Sequence, residues 1–319
     1  WTLTALPLFV WLGEILFRTR LSENLFKGLS PWMQKLPGGL IHVNVVGCAL
    51  FAAISGSSAA TVATVGKMSI PELRKRNYPE KILLGSLAGS GTLGLLIPPS
   101  IILIIYGVAV QESIAKLFIA GIIPGIMIAL IFMSYVIVWS LINKKSMPKI
   151  IEKYSFLEKI KRSKQLLPVI ILILAVIGSI YTGIATATEA ASLGVVGALI
   201  LSYFQKSLTL KTFKSSLLGA TKTSCMIAFI LAGSTFLSLA MGFTGLPRNL
   251  ALWIQNMDLS PYVLIFVLMI FYIILGMFLD GISAVVLTMA IIEPMIRQAG
   301  FDMIWFGIFL VIVVEMAQI

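Results

Sequence analysis

The chain has 319 residues, of which 59% are hydrophobic and 12% are charged. Soluble domains are about 45–50% apolar and 25% charged, so this composition excludes an ordinary soluble enzyme and predicts an integral membrane protein. The 24 basic residues outnumber the 13 acidic ones, giving a formal net charge of +11. In a membrane protein, an excess of basic residues is first explained by their concentration in cytoplasmic loops, and we therefore expect no nucleic-acid partner.

Long apolar segments follow one another along the chain, and their uniformity favours helices over an outer-membrane barrel. They cover residues 1–17, 39–66, 82–107, 117–142, 166–185, 189–204, 223–242, 262–296 and 303–319. The first and last segments run to the two ends of the sequence. We therefore expect the sequence to be a fragment of a longer protein.

The segment 39–66 contains the polar tract SGSSAAT at 55–61. The arm before this tract, residues 40–54, would be only about 22 Å long at 1.5 Å per residue. A bilayer core is about 30 Å thick, so the arm is too short to cross it. The segment is predicted to be a re-entrant hairpin that turns at Ser55–Ser58 and leaves on the side it entered.

The positions of the basic residues support this topology. With the basic loop 143–165 on the cytoplasmic side and residues 39–66 and 262–296 as re-entrant hairpins, 21 of the 24 basic residues are cytoplasmic. The three on the other side are Lys116, Arg248 and Arg297. A single crossing by either hairpin would put basic loops on both sides, against the positive-inside rule.

The segment 82–107 is interrupted by Pro98 and Pro99. A proline inside a helix costs about 3 kcal/mol, and the freed backbone groups need protein or a water-filled cavity around them. The tract GSGTLGLLIPPS (89–100) predicts an unwound stretch that presents carbonyl groups and Ser100 to the first hairpin. A structural kink without a ligand is the alternative interpretation.

A weak internal repeat relates the two predicted hairpins. A shift of 225 residues places TRLSENL (19–25) on TGLPRNL (244–250), and SGSSA (55–59) on DGISA (280–284). The predicted topology gives the two copies opposite orientations. Inverted repeats of this kind, with broken helices near the bilayer midplane, are typical of secondary transporters.

The two hairpin tips and the broken span form the predicted site. Hydroxyls and unwound carbonyls suit a small hard cation such as Na⁺, and helix N-termini suit an anionic substrate. The predicted Na⁺ ligands are Ser55, Gly56, Ser57, Ser58, Pro98, Asp280 and Gly281. The predicted substrate ligands are Ser57, Thr61, Pro99, Ser100 and Ser283. Small-residue helix packing could explain the first tip without a ligand, and Asp280 could be a helix cap.

Other ionisable or polar residues also fall within apolar segments. Glu14, Glu189 and Glu315 lie in or at the ends of predicted spans, and a proton relay through such groups is an alternative. His42 and Asn44 lie near the entrance of the first hairpin, where we expect an interfacial role. The sequence has no P-loop, HExxH, paired Cys/His or GxSxG motif, so we expect no ATP hydrolysis, no transition-metal site and no enzymatic activity.

At these residues the sequence resembles the large membrane subunit (DctM-like) of TRAP transporters, the tripartite ATP-independent periplasmic family. The resemblance is carried by PLFVWLGEIL (7–16), SGSSAATVATVG (55–66), the run 70–107 ending in GLLIPPSIILIIYG, LFIAGIIPGI (117–126), GIATATEAASLG (183–194) and GMFLDGISAVVL (276–287). One departure is Ala187, which stands where the family usually has the proline of TPTEAA. This change affects local geometry more than any ligand.

The resemblance implies an all-α membrane protein that works as an elevator-type secondary transporter, driven by a Na⁺ gradient. It also implies a periplasmic substrate-binding protein, a small membrane subunit (separate or fused), and an organic acid such as a C4-dicarboxylate or sialic acid. The expected location is the lipid bilayer of the bacterial inner membrane. A two-component Na⁺/dicarboxylate carrier without a binding protein, a channel and a membrane-embedded enzyme are the alternatives.

The expected organisation follows the repeat. Residues 39–107 are expected to hold the first hairpin and broken helix of a transport domain, and residues 262–319 the second hairpin and a truncated broken helix. Residues 1–38 and 223–261 are the helix and connector that begin each repeat, and residues 108–222 are scaffold helices with the basic cytoplasmic loop.

Overall fold

The computed structural model describes residues 2–19, 21–148, 154–245, 249, 252 and 260–319, and within these ranges the regular elements are all helical. The α-helices are α1 (Ala5–Arg18), α2 (Leu21–Met33), α3 (His42–Ser55), α4 (Ser58–Lys75), α5 (Glu80–Gly91), α6 (Leu93–Leu96), α7 (Ile101–Ala109), α8 (Ile114–Ile142), α9 (Phe156–Ser163), α10 (Leu167–Tyr181), α11 (Ala187–Phe204), α12 (Leu210–Thr244), α13 (Pro261–Gly276), α14 (Gly281–Gln298) and α15 (Met303–Ala317). Arg248, expected on the outer side, lies outside the described residues, as does most of the predicted repeat segment 244–250.

Side-chain caps define where many of these helices begin. The first N–H groups of a helix have no partner inside it, and lipid offers none, so a capping oxygen must satisfy them. In eight helices the N-cap side chain accepts the N–H three residues on; the caps are Ser57, Ser100, Ser113, Thr186, Thr209, Ser260, Asp280 and Asp302. Each cap contributes about 0.5–2 kcal/mol.

Several helices are long and apolar enough to cross a bilayer. In the described part of the chain they are the broken span Glu80–Ala109, then α8, α11, α12 and α14. The pair α9 and α10 bends by 53° and could form one further span. The protein is therefore a multi-pass helical membrane protein, with α8 and α12 mostly exposed at its surface and the broken span mostly buried.

The helices α3 and α4 form an antiparallel pair that turns at Gly56 and Ser57. A Cβ at Gly47 would contact Val65, and these residues lie at similar distances on either side of the turn. At the other end of the pair, the Leu40 N–H donates to the Tyr78 hydroxyl at 3.0 Å. The chain thus enters and leaves this pair at the same end, and the turn falls at the predicted tip.

The helices α13 and α14 form a second antiparallel pair, with its turn at residues 277–280. The Tyr272 hydroxyl and the Thr288 hydroxyl lie 2.6 Å apart and join the two arms. At the far end, the Arg297 guanidinium donates to the Val110 carbonyl at 3.0 Å, beside the turn that leads into α8. Arg297 and Lys116, which were both predicted to be outside, are therefore placed near the same turn.

The broken span lies between the two pairs. Pro98 and Pro99, joined by a cis peptide bond, separate α6 from α7. The buried Tyr106 of α7 donates its hydroxyl hydrogen to the Met303 carbonyl at 2.6 Å, which ties α7 to the start of α15. This packing fixes the break in the span at the level of both turns.

Candidate substrate and cation site

The turns of both helix pairs and the break in the span meet at one cavity of about 490 Å³. Its lining residues are Gly56, Ser57 and Ser58 of the first turn, Leu95, Ile101 and Ile102 of the broken span, Gly276 to Ile282 of the second turn, and Ala317 and Gln318. Asp280 carries the one formal charge among these lining residues. The structure therefore brings together the three regions that the sequence predicted to form the site.

Six helix ends converge on this cavity. The carbonyl ends of α3, α6 and α13 reach it, and so do the N–H ends of α4, α7 and α14. Helix C-termini carry partial negative charge and attract cations, whereas N-termini carry partial positive charge and attract anions. The arrangement can hold a cation and a carboxylate close together.

The first turn depends on glycine. Gly56 has φ +60°, and a Cβ there would lie 2.6 Å from the Pro99 carbonyl oxygen. The Ile101 N–H donates to the Gly56 carbonyl at 3.3 Å, which joins the turn to the start of α7. A Cβ at Gly94 would lie 2.8 Å from the Ser57 carbonyl oxygen, so Gly94 permits the same close approach from α6.

The hydroxyls of the first turn divide into two groups. The Thr61 hydroxyl donates to the Ser57 carbonyl at 2.7 Å and lies 2.9 Å from the Ser55 hydroxyl. Both Ser55 and Thr61 are buried, and neither lines the cavity. Ser57 and Ser58 do line it. Among the predicted ligands of this turn, the structure brings Gly56, Ser57 and Ser58 to the cavity and uses Ser55 and Thr61 to brace the turn.

Pro98 and Pro99 form the break in the span, and neither residue is part of the cavity lining. The Pro99 carbonyl faces Gly56, whereas the Pro98 ring lies close to Gly121 of α8. Ser100 is fully buried; its hydroxyl donates to the Leu95 carbonyl and accepts the Leu103 N–H at 3.3 Å. The predicted ligands Pro98, Pro99 and Ser100 therefore form the break and lie outside the cavity lining.

Asp280 caps α14, as the cap interpretation predicted. Its carboxylate accepts the Ser283 N–H at 3.2 Å and the Ser283 hydroxyl at 2.5 Å. Asp280 and Gly281 line the cavity, whereas Ser283 does not. A Cβ at Gly281 would lie 3.0 Å from Ile102 and 3.1 Å from Val314, so the start of α14 packs directly on α7 and α15.

His42 and Asn44, for which an interfacial role was expected, pack inside the protein near the entrance of the first hairpin. Both side chains are fully buried. The His42 Nε2 donates to the Pro37 carbonyl at 2.7 Å, and the Asn44 amide donates to the Leu83 carbonyl at 3.2 Å. These bonds join α3 to its neighbours, because a buried polar group must find a partner inside the protein.

The glutamates expected in spans have different environments. Glu14 pairs with Arg18 at 2.9 Å, and Glu189 accepts the Thr186 N–H at 2.8 Å in a capping box. Glu315 is 2% exposed, and its carboxylate has no hydrogen-bond partner among the described residues. None of the three lines the cavity.

Gly94 and Gln318 are among the residues of the cavity region that were not predicted from the sequence. Gly94 permits the contact between α6 and the first turn, and the glycines of the tract GSGTLG (89–94) were the available signal. Gln318 lines the cavity near Gly281, and no sequence pattern marks it.

A multi-pass helical protein with its polar cavity where helices are interrupted belongs to the architectural class typical of secondary transporters. The chain belongs to the DctM family: the family model "Tripartite ATP-independent periplasmic transporter, DctM component" matches residues 1–319. It is therefore the large permease component of a TRAP transporter, and not an enzyme.

Relatives with different named substrates are similar to this chain. The C4-dicarboxylate TRAP transporter large permease DctM of Pseudomonas aeruginosa is 32% identical over 100% of this chain and 74% of its own length. The sialic acid permease SiaM of Vibrio cholerae is 31% identical over 96% of this chain and 71% of its own. The isethionate permease DctMQ of Oleidesulfovibrio alaskensis is 30% identical over 97% of this chain and 48% of its own.

Proposed function

We propose that this protein is the permease subunit of a Na⁺-coupled importer of an organic acid in the bacterial inner membrane. The observation that carries the proposal is the single cavity lined by both turns and by six helix ends. Its volume of about 490 Å³ lies within the range of small-molecule sites.

The cation is proposed to bind on the carbonyl side of the turns. Gly56, Ser57, Ser58 and Gly281 offer backbone or hydroxyl oxygens there, and Asp280 offers a carboxylate. Oxygen ligands of this kind suit Na⁺, and a carboxylate adds the charge that a neutral cage lacks. By holding the ion, each turn would become ordered, which would link cation binding to capture of the acid.

The acid is proposed to bind at the N–H ends of α4, α7 and α14. Ser57 and Ser58 line the start of α4, and Ile101 and Ile102 line the start of α7. The partial positive charge of these ends favours a carboxylate. The apolar side chains beside them would contact the carbon skeleton of the acid.

The acid is proposed to be of the C4-dicarboxylate or sialic acid type, delivered by a periplasmic substrate-binding protein. Permeases named for these two substrates are almost equally similar to this chain, so the binding protein is expected to set much of the specificity. A small membrane subunit would complete the complex; the name DctMQ of one relative suggests that such a subunit can be fused.

An elevator movement is proposed for the transport step. Both helix pairs and the broken span pack on each other around the cavity, whereas α8 and α12 expose most of their apolar surface. The matching order of an antiparallel helix pair followed by a further helix in residues 39–107 and 262–319 supports the predicted inverted repeat. The two helix pairs and the broken span would form the moving transport domain, and the remaining helices the scaffold.

Uptake by proteoliposomes tests the proposal. The full-length permease, its small subunit and its binding protein would be reconstituted with labelled succinate and labelled sialic acid, with and without an inward Na⁺ gradient. Uptake of one acid that needs both Na⁺ and the binding protein is expected. Uptake with Na⁺ alone would indicate a two-component carrier, and uptake that needs neither would contradict the cation site.

A further inference from the structure

A second and larger cavity, of about 1040 Å³, lies at the opposite end of α4 from the first turn. We call it the basic cavity, because its lining includes six basic side chains and two carboxylates. The basic side chains are Arg18, Lys27, Lys67, Arg76, Arg162 and Lys206; the carboxylates are Glu72 and Glu158. Its lining residues come from α1, α2, α4, α9 and the segment before α12, which are far apart in the sequence.

Both carboxylates are occupied by local partners. Glu72 pairs with Arg76 at 2.8 Å, and Glu158 accepts the Ser155 N–H at 2.8 Å. Arg18 is likewise paired with Glu14, and Arg162 lies over the Tyr154 ring at 4.3 Å. The arginines are thus held in place by their neighbours.

The lysines of the basic cavity are different. The ammonium groups of Lys27, Lys67 and Lys206 form no hydrogen bond or ion pair within the described ranges. Three ammonium groups that line one concave surface and have no ion-pair partner among the described residues attract anions and favour their binding. The two carboxylates of the lining do not cancel this charge, because six basic side chains share the cavity with them and Glu72 is already paired with Arg76.

A buried hydroxyl provides an independent indication of a ligand. Thr64 on α4 is 2% exposed, lines the basic cavity, and its Oγ1 has no hydrogen-bond partner among the described residues. Buried polar atoms are almost always hydrogen-bonded, and an exception needs an explanation. The Oγ1 atom is shielded from the cavity in this conformation, so rotation of the Thr64 side chain would let an oxyanion accept the hydroxyl hydrogen while the lysines supply the charge.

The basic cavity also shares a helix with the candidate site. Ser57, Thr61, Thr64 and Met68 follow one another at helical spacing on one face of α4. Thr64 is about 10 Å along the helix axis from Ser57. The buried Thr61 separates the two cavities along this face, so an acid released from the first turn would reach the lysines only once the turn has opened.

We propose that the basic cavity is a second anion site, separate from the site between the turns, which binds small oxyanions bearing carboxylate or phosphate groups. Its use by the transported acid, on the side of release, rests on the proposed function. Binding of an oxyanion does not rest on it. The same chemistry could come from a dissolved acid or from the head group of an anionic lipid.

Lysine acylation tests the proposal without any transport assay. The full-length permease with its small subunit would be placed in phosphatidylcholine nanodiscs and acylated at constant ionic strength in chloride, succinate or inorganic phosphate. Peptide mass spectrometry would give the extent at each lysine. Succinate or phosphate at twice its dissociation constant is expected to slow acylation of Lys67 and Lys206 about threefold relative to chloride. Lys145 and Lys222, which lie outside the basic cavity, serve as controls.

Two variants and a lipid comparison sharpen the test. Thr64→Val is expected to weaken the protection of Lys67, whereas Thr221→Val, on exposed α12 surface, is not. The cavity lysines could be protected from acylation in phosphatidylglycerol nanodiscs, with no further protection when succinate is added. This result would support the anion site and assign it to lipid head groups. Equal acylation in all three anions and both lipids, or equal protection of the control lysines, would overturn the proposal. If the unsubstituted permease showed no Na⁺-driven uptake while succinate or phosphate still protected Lys67 and Lys206, only the proposed function would be contradicted.

Discussion

Asp280 combines a cap and a charge in one side chain, and two substitutions separate these contributions. Asp280→Asn keeps a good N-cap for α14, because Asn and Asp cap equally well, but it removes the charge from the cavity. We expect the apparent Na⁺ affinity of uptake to fall by about tenfold or more, equivalent to about 1.4 kcal/mol, with thermal stability unchanged. Asp280→Ala is expected to lose about 1 kcal/mol of stability as well.

Asp302 provides the matched control for this test. It caps α15 through the Trp305 N–H at 2.8 Å and does not line the cavity. Asp302→Asn should leave the Na⁺ dependence of uptake unchanged. Equal Na⁺ dependence in the two Asn variants would remove Asp280 from the proposed cation site.

At the residue scale, the sequence predicts which segments hold polar atoms but not where each hydroxyl points. Ser57 and Ser100 both cap helices at breaks in apolar segments, and their local sequences do not distinguish them. Ser57 lines the cavity, whereas the Ser100 hydroxyl turns to the Leu95 carbonyl. That choice depends on the carbonyl groups freed by the double proline, and these are fixed only when α6 and α7 have packed.

At the scale of elements, the first turn is predicted to tolerate no side chain at position 56. Gly56→Ala would pay the cost of a positive φ, about 1–2 kcal/mol, and would also push a methyl group against the Pro99 carbonyl. The contact between the turn and α7 must then open. We expect uptake to fall about tenfold or more, equivalent to about 1.4 kcal/mol, measured alongside thermal unfolding.

Gly300 provides a control that measures the free-energy cost of a positive φ without a steric contact. It has φ +80°, and a Cβ there would meet no atom within 4 Å. Gly300→Ala should lower thermal stability by about 1–2 kcal/mol and retain uptake. If Gly56→Ala and Gly300→Ala behaved alike, the close contact between the first turn and the broken span would have no role in transport.

The existence of the helix breaks was predictable, because Gly, Ser, Asp and Pro mark them in otherwise apolar segments. The residues at which the helices begin and end were less predictable. The apolar segment 223–242 is only part of α12, which begins at Leu210 because Thr209 caps it there. The polar residues between 210 and 222 have no hydropathy signal, so only the cap marks the true start.

At the scale of the whole molecule, the topology can be tested by thiol labelling. Lys35 precedes α3 and Lys75 ends α4, so a re-entrant pair places both on one side of the membrane, opposite Lys116. Lys35→Cys and Lys75→Cys are expected to react with an impermeant maleimide in inside-out vesicles, and Lys116→Cys in right-side-out vesicles. A Cys225→Ser background removes the exposed native thiol, whereas Cys48 is buried.

Labelling of Lys35→Cys and Lys75→Cys from opposite sides would contradict the re-entrant topology and mean that α3 and α4 cross the membrane once.

The positions of the charges in the sequence predicted the re-entrant topology. The sequence could not predict that basic residues from five segments would surround one cavity. Arg18, Lys67, Arg162 and Lys206 are close only because their helices pack together. Local sequence patterns do not predict clusters of residues that are distant in the chain.

The single formal charge of the cavity between the turns sets a rule of electroneutrality. Since low-dielectric surroundings penalise net charge by several kcal/mol, the loaded cavity should move most easily when its charges sum to zero. In the proposed function, one cation would neutralise Asp280, and each carboxylate charge of the acid would then need a further cation. A dicarboxylate should accordingly travel with one more Na⁺ than a monocarboxylate, so the valence of the cargo would set the ion stoichiometry.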